Sequence, residues 1–209
     1  MPPQPTLKIT EIFASIQGEG LGLGRPTLFV RLTGCNLRCS FCDTKSAWRR
    51  GRKMTIDEIL SALAKQRRTW PSDWVCLTGG EPFAQEIDPL VKRLHQDGFH
   101  IQVETNGTIY RDCGIDWPTV SPKPPRYEVA AEFLKSAREV KLVVSKEMTF
   151  AVLGRIRASF PAEIPLFLQP ESNRPESRAR ATRLLRRSLA ERLPDVRLGI
   201  QLHRIFGLR

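Results

Sequence analysis

The sequence predicts an α/β fold, a partial, open (β/α) barrel built on a mostly parallel sheet. Three observations carry that prediction. Strand-patterned and helix-patterned segments alternate along most of the chain, with no linker or low-complexity break between them. The chain has 209 residues, 41% of them hydrophobic, enough for one domain with a sizeable core. That falls short of the roughly 250 residues of a complete eight-fold barrel, so an open one is predicted. Polar or glycine-rich stretches also follow the predicted strands, the edge where such folds gather their working groups. Residues 1–209 are read as a single domain, with 1–6 as a flexible N-terminal tail.

Taken in order, 6–13 and 26–33 read as strands. The helix that a full barrel would place before Thr55 is nearly absent, which again points to a trimmed barrel. Thr55-Ile-Asp-Glu58 is a capping box, opening a helix that runs to Arg68. A strand at 74–78, a helix at 85–97 and strands at 99–104 and 117–121 follow. The reading ends with helix 128–137, strand 139–145, helix 148–159, strand 165–169, helix 176–193 and strand 196–202. In the last helix Ala181, Leu184, Leu185 and Leu189 form an apolar stripe predicted to face the core. Arg178, Arg180, Arg183, Arg186 and Arg187 form its solvated face.

The formal net charge is +11 and the pI about 10.0, which admits nucleic acid or an anionic small substrate as a partner. Much of that charge lies in 174–192, where no aromatic residues interleave to stack bases, so no direct nucleic-acid contact is expected. Nothing approaches the roughly 18–20 apolar residues that span a bilayer. Residues 1–6 lack the charged and apolar regions of a secretory leader. Five cysteines are an odd count, and three are clustered at ligand spacing, which argues against a disulfide framework. A reducing cytoplasm is the expected compartment. Cys76 reads as a small core residue, and Cys113 is given no role.

The chemistry begins at Thr33-Gly-Cys-Asn-Leu-Arg-Cys-Ser-Phe-Cys-Asp-Thr44, directly after a predicted strand. Cys35, Cys39 and Cys42 offer three thiolates from one loop, enough for three corners of a 4Fe–4S cluster, with the fourth iron left open. A zinc site completed by a ligand from elsewhere is the plain alternative. Other polar strand ends are Thr78-Gly-Gly-Glu-Pro82, Glu104-Thr-Asn-Gly107, Ser121-Pro-Lys123, Gln169-Pro170 and His203. Strand alternation turns Arg31, Glu104, Gln201 and His203 into the lumen, opposite Leu28, Val30, Leu32, Ile101, Val103, Leu198, Ile200 and Leu202. Buried polar groups there need partners, which a polar ligand supplies. For Glu104 the alternative is a salt bridge to Lys141 or an arginine, and for His203 a satisfied near-surface histidine.

The spacing CxxxCxxC, followed by Gly79-Gly-Glu-Pro82 after the next strand, resembles the radical S-adenosylmethionine (AdoMet) superfamily. Glu11-Ile-Phe-Ala-Ser-Ile-Gln-Gly-Glu-Gly20, Arg31, Cys42-Asp-Thr44, Glu104-Thr-Asn-Gly-Thr108 and Ser121-Pro-Lys123 together resemble the 7-carboxy-7-deazaguanine synthases, a lyase family of queuosine and 7-deazapurine biosynthesis. The likeness runs from 7 to 203. It implies ring contraction of 6-carboxy-5,6,7,8-tetrahydropterin to 7-carboxy-7-deazaguanine with loss of ammonia. AdoMet would chelate the open iron and yield a 5′-deoxyadenosyl radical that takes hydrogen from the pterin; hydrogen then returns and AdoMet is regenerated. The cofactors implied are the 4Fe–4S cluster on Cys35, Cys39 and Cys42, AdoMet, and Mg²⁺ on Thr44. Thr44 could instead merely cap its loop.

The same resemblance assigns substrate binding to Ile16, Gln17, Gly18, Glu19, Arg31, Thr78 and His203. Arg31 would clamp the substrate carboxylate. AdoMet would be lined by Phe41, Cys42, Asp43, Gly80, Glu104, Ser121, Pro122, Lys123 and Gln169. No protein side chain is assigned as the catalyst, since the radical comes from AdoMet. A reducing partner such as flavodoxin or ferredoxin is implied, and a homodimer is allowed. Two other classes stay in view at this point. A radical AdoMet activating enzyme acting on a partner's glycine fits the cysteines, though Gln17-Gly-Glu19 and Arg31 suit a small polar substrate better. A binding-only electron-transfer or zinc-stabilised module would call for a fourth cysteine at ligand spacing.

Overall fold

Apolar side chains recur at every second strand position and every third or fourth helix position, and both sets end in one buried layer. A computed structural model describes residues 4–208. In chain order the elements are β1 (Thr6–Ile16), β2 (Pro26–Leu32), β3 (Arg52–Thr55), α1 (Ile56–Thr69), β4 (Trp74–Gly79), α2 (Asp88–Gln96), β5 (His100–Thr105) and β6 (Trp117–Val120). They continue with α3 (Phe133–Ser136), β7 (Glu139–Val144), α4 (Phe150–Ser159), β8 (Leu166–Pro170), α5 (Pro175–Ala190), β9 (Val196–Leu198) and α6 (Leu202–Ile205). One sheet holds all nine strands in the order β3-β1-β2-β4-β5-β6-β7-β8-β9. Every pairing from β2–β4 to β8–β9 is parallel, and β1 runs antiparallel to β2 and β3. The fold is the open, mostly parallel α/β sheet the sequence predicts.

One face of the sheet packs on helices. Leu28, Val30 and Leu32 of β2, Val75 and Leu77 of β4, and Ile101 and Val103 of β5 are each 0% exposed beside Ile59, Leu63, Leu90 and Leu94. The Thr55 capping box is formed: its hydroxyl accepts from the Glu58 N–H while the Glu58 carboxylate accepts from the Thr55 N–H. On the opposite face Phe13, Phe29 and Cys76 make a small buried apolar patch, with the two rings stacked 5.0 Å apart. Cys76 is thus a core residue, on the lumen side of the sheet.

The outcome departs from the sequence reading at identifiable places. Strand β3 was not foreseen; it pairs Thr6 with Thr55 and Ile9 with Arg52, so Thr6 belongs to the sheet rather than to a tail. Residues 1–3 of the expected tail lie outside the described residues. The helix expected over 128–137 shrinks to α3, because the Ala130 N–H is tied to the Gly107 carbonyl at 2.8 Å. The strand expected over 196–202 stops at Leu198. The Asn173 amide brackets the backbone of Gln201 at 3.2 and 3.3 Å and turns the chain into α6. Leu198 and Ile200 therefore lie 44% and 40% exposed rather than against helices. In α5 the buried row is Ser177, Ala181, Leu184 and Ser188, while Leu189 is 65% exposed. Its arginines do face solvent or lie at the rim.

Candidate active site

The carboxyl ends of the strands enclose one cavity of about 290 Å³. Its wall contains Cys35, Cys39 and Cys42, all free and half-buried. The loop that carries them is held by backbone. The Gly34 N–H donates to the Ala47 carbonyl (2.7 Å), and the Gly34 carbonyl accepts from the Glu81 N–H (2.7 Å). Asn36 adds side-chain bonds to Thr108 and Asn106 at 2.8 and 2.9 Å. The pair Gly79-Gly80 explains itself here. A Cβ on Gly80 would lie 1.9 Å from the Gly34 carbonyl oxygen. Glycine is required so that the β4 loop can press against the cysteine loop, whatever ligand comes near.

Glu81, fully buried, fastens the next layer. It accepts from the Phe83 N–H (3.1 Å), the Thr105 hydroxyl (2.8 Å) and the Asn106 N–H (2.7 Å). The loops after β2, β4 and β5 thus form one block. Burial pushes the Cys39 thiol up, with the nearby Lys123 ammonium pulling it back. Lys123 is itself lowered by burial and by Lys141, and it donates to the Ser121 carbonyl at 2.6 Å.

At the other end of the cavity lies Arg31. A bulge between Ile9 and Glu11 sets Glu11 opposite Arg31 across the β1–β2 pair. The Arg31 Nε–H donates to Glu11 at 2.7 Å, and its Nη1 donates to the Thr44 hydroxyl at 3.3 Å. Thr44 in turn donates to Asp43 at 3.0 Å, and Asp43 accepts from Arg204 at 3.3 Å. Burial alone would raise the Asp43 carboxyl, but the Thr44 hydroxyl and Arg204 hold it below its ordinary value.

The floor carries a charge group whose centre the sequence reading named only as a possible partner. Lys141 Nζ reaches Glu19 at 2.6 Å and also pairs with Glu104. The salt bridge to Lys141 envisaged for Glu104 is therefore formed. Glu19 accepts further from the Gln201 amide at 2.8 Å, and Glu104 from the Gln17 amide at 3.4 Å. Burial raises both carboxyls. At Glu19 the Lys141 ammonium and its hydrogen bonds outweigh burial, so the group ends lowered; at Glu104 burial and the neighbouring Glu19 win, and it ends raised.

The end of the chain closes the side. The Leu202 N–H donates to the Gly18 carbonyl at 2.9 Å, and a Cβ on Gly18 would fall 2.0 Å from His203 Nδ1. Gly18 is thus the place where His203 packs. Burial holds the His203 imidazole below its ordinary pKa, against the pull of Glu19.

Of the residues the sequence singled out, Ile16, Gln17, Gly18, Glu19, Arg31, Phe41, Asp43, Thr44, Thr78, Gly80, Glu104, Ser121, Lys123, Gln169 and His203 all line this cavity with the three cysteines. Pro122 does not; it is buried behind the wall, between two residues that do line it. His203 and Gln201 reach the cavity from α6 and the turn before it, not from a strand face. Sequence reasoning missed Lys141 as a wall residue, along with Val143. The alternation applied to β2 and β5 would have found them, since Glu139, Lys141 and Val143 share the face opposite Val140, Leu142 and Val144.

As a donor set the three cysteines of one loop suit an iron–sulfur cluster with one open corner. Yet among the described residues no three His, Cys, Asp or Glu side chains stand close enough to hold a metal ion. Cys76 is buried in its apolar patch and Cys113 packs against the outer core, so neither supplies a fourth sulfur. The wall residues also fit a polar ligand beside it. Gln169, 3% exposed, has neither amide atom bonded to a described residue, and the side-chain Oε1 of Gln201 is likewise unmatched.

A sheet of this topology with three cysteines in the loop after β2 defines an iron–sulfur radical enzyme, and a family profile described as "Radical SAM superfamily" matches residues 29–141. Two relatives named 7-carboxy-7-deazaguanine synthase are similar over nearly the whole chain. The one from Aquifex aeolicus is 38% identical over 97% of this chain and 94% of its own length. The one from Bacteroides thetaiotaomicron is 39% identical over 97% and 98%. The solved structure "Crystal structure of QueE from Escherichia coli" superposes with a TM-score of 0.78 at 30% identity, covering 95% of each chain. This chain belongs to the 7-carboxy-7-deazaguanine synthase family within the radical SAM (AdoMet) superfamily. Among the described residues no helix is long and apolar enough to cross a membrane.

Proposed function

We propose that the chain, as a single catalytic domain, converts 6-carboxy-5,6,7,8-tetrahydropterin to 7-carboxy-7-deazaguanine with loss of ammonia, using AdoMet catalytically. One observation carries the reading: a cavity of about 290 Å³ has three cysteines on one wall and Arg31, Glu19 and Gln17 on the others. A 4Fe–4S cluster on Cys35, Cys39 and Cys42 would supply the electron that cleaves AdoMet, drawn from a donor such as flavodoxin or ferredoxin. A cytoplasmic setting and a homodimer accompany the proposal.

Everything else falls to the side chains. Arg31 has its Nε–H on Glu11, which aims the rest of the guanidinium into the cavity, where it can pair with the substrate carboxylate. Glu19, kept charged by Lys141, accepts from the amino edge of the pterin, with Gln17 beside it. Phe41, Gly80, Ser121, Lys123 and Gln169 form the wall on the AdoMet side, and the unmatched Gln169 amide offers both a donor and an acceptor.

Thr44 is the proposed Mg²⁺ anchor. Its hydroxyl lies 3.3 Å from the Arg31 guanidinium, so a dication there needs anions beside it, and Asp43, 3.0 Å from the hydroxyl, is one. The substrate carboxylate is another, and Mg²⁺, which keeps several waters, completes its shell with such oxygens. The test is an anaerobic assay with dithionite, AdoMet, Mg²⁺ and the carboxylated tetrahydropterin, followed by mass spectrometry for the contracted ring. No deazapurine from protein with an intact cluster would sink the proposal. Thr44→Ala should abolish the response to Mg²⁺ while cluster absorbance is retained. Arg31→Ala should raise the KM for the pterin by about tenfold to a hundredfold and leave that for AdoMet within about twofold.

A further inference from the structure

Lys141 sits in the middle of a parallel strand, with its side chain 7% exposed. An ammonium at such a place costs several kcal/mol unless it is fully paired, so its retention asks for a reason. Its neighbours in the strand, Val140 and Leu142, are 0% exposed and belong to the helix-packed core. Lys141 points the other way, into the cavity, and Nζ is shared by two carboxylates carried on different elements. Glu19 comes from the loop after β1 and Glu104 from the end of β5. Glu19 has one further donor, the Gln201 amide. Glu104 has one, the Gln17 amide. Both amides belong to residues of the same cavity.

We propose that Lys141 is a positioning residue for the pterin, fixing Glu19 and Glu104 on one ammonium so that the ring-reading carboxylate is presented charged and in a single place. The proposal rests on the functional reading above and names a residue that reading does not use. Two carboxylates this close cannot both be ionised without a cation between them. Without Lys141 they would repel, and one would take a proton or swing away. The remaining charged groups facing Glu104 are Glu139 on β7, whose oxygens already accept from the Leu21 N–H and the Thr119 hydroxyl, and Lys123, farther along the wall. Cys76 on β4 also faces it, with its thiol pushed well up by burial and so uncharged. No other cation forms an ion pair with either carboxylate among the described residues.

The test uses the full chain with its cluster reconstituted and AdoMet bound. Affinity for 6-carboxypterin, the fluorescent oxidised analogue, is measured by titration for the parent, Lys141→Met, and Lys141→Met combined with Glu104→Gln. The single variant should lose about tenfold or more in pterin affinity and clearly less in AdoMet affinity, where Glu104 is one lining residue among several. The double variant removes the surplus negative charge and should recover to within about fivefold of the parent, which a purely structural lesion would not do. In the single variant the loss should also shrink as the pH is lowered, because one carboxylate is protonated and His203, which faces Glu19, gains a proton. Pterin affinity unchanged in Lys141→Met overturns the proposal. So do equal losses for both ligands, a double variant no better than the single, or failure of both variants to load the cluster. Should the single variant fail to load while the double loads and binds, charge balance at Lys141 is upheld. A parent that binds AdoMet but no pterin takes down the functional reading, and this proposal with it; a parent that binds pterin as well as the single variant does takes down this proposal alone.

Discussion

Glu81→Gln isolates the bond that fastens the AdoMet-side loops. The carboxylate is 0% exposed and accepts three hydrogen bonds: Oε1 from the Phe83 N–H and the Thr105 hydroxyl, Oε2 from the Asn106 N–H. Glutamine keeps the shape but replaces one oxygen by an NH₂ group. Whichever way that amide turns, one backbone N–H then meets a donor. A buried amide left without an acceptor costs about 1–3 kcal/mol. Burial raises the Glu81 carboxyl, so the ionised parent carries a desolvation cost that glutamine lacks, and this offsets part of the loss. For a chain of this size about 1 kcal/mol moves Tm by about 2–4 °C, so a fall of about 2–8 °C is expected. Thermal unfolding of the cluster-loaded protein, paired with hydrogen exchange at Asn106, reads both the energy and its location. A Tm within about 1 °C of the parent, together with an unchanged exchange rate at Asn106, would show that this carboxylate does not tie the loops.

Other outcomes follow from the same groups. The Glu104 carboxyl is raised in the folded state, first by burial, so its contribution to stability is present below its unfolded pKa and is lost as pH rises through the folded one. Glu104→Gln should therefore gain in Tm relative to the parent as pH rises above the ordinary carboxylate range; a difference that stays flat with pH refutes the assignment. The Cys113 thiol is pushed up to about 11 by burial and by Asp88. In the cluster-loaded protein at pH 8 its alkylation should run about a hundredfold slower than that of an ordinary cysteine and accelerate up to about pH 11, as followed by mass spectrometry.

Much of this was legible because it depends on short-range rules. The capping box at Thr55, the cysteine loop after β2 and the inward Arg31 and Glu104 each follow from a local pattern, and the structure has each where that pattern puts it. What could not be read depends on contacts distant in sequence. Strand β3 exists because Thr6, Leu7, Lys8 and Ile9 offer an edge for it, which nothing within Arg52–Thr55 announces. The last strand was overextended because its alternation continues past the point where Asn173 captures the backbone. The packing need for two glycines was also hidden: Gly80 clears Gly34 and Gly18 clears His203, and both partners lie in other parts of the chain. Lys141 was read only as a possible salt-bridge partner because alternation was applied to three strands and not to β7.

Because β3 and β9 stand at opposite ends of the sheet, the strands alone make a trough with one missing side. Residues 201–204 supply that side, through Gln201 on Glu19, Leu202 on Gly18 and Arg204 on Asp43. Asp43 and Arg204 stand 161 residues apart in the chain, so that side is held by tertiary contacts alone. Loosening them would let water into the reaction vessel without moving a single strand.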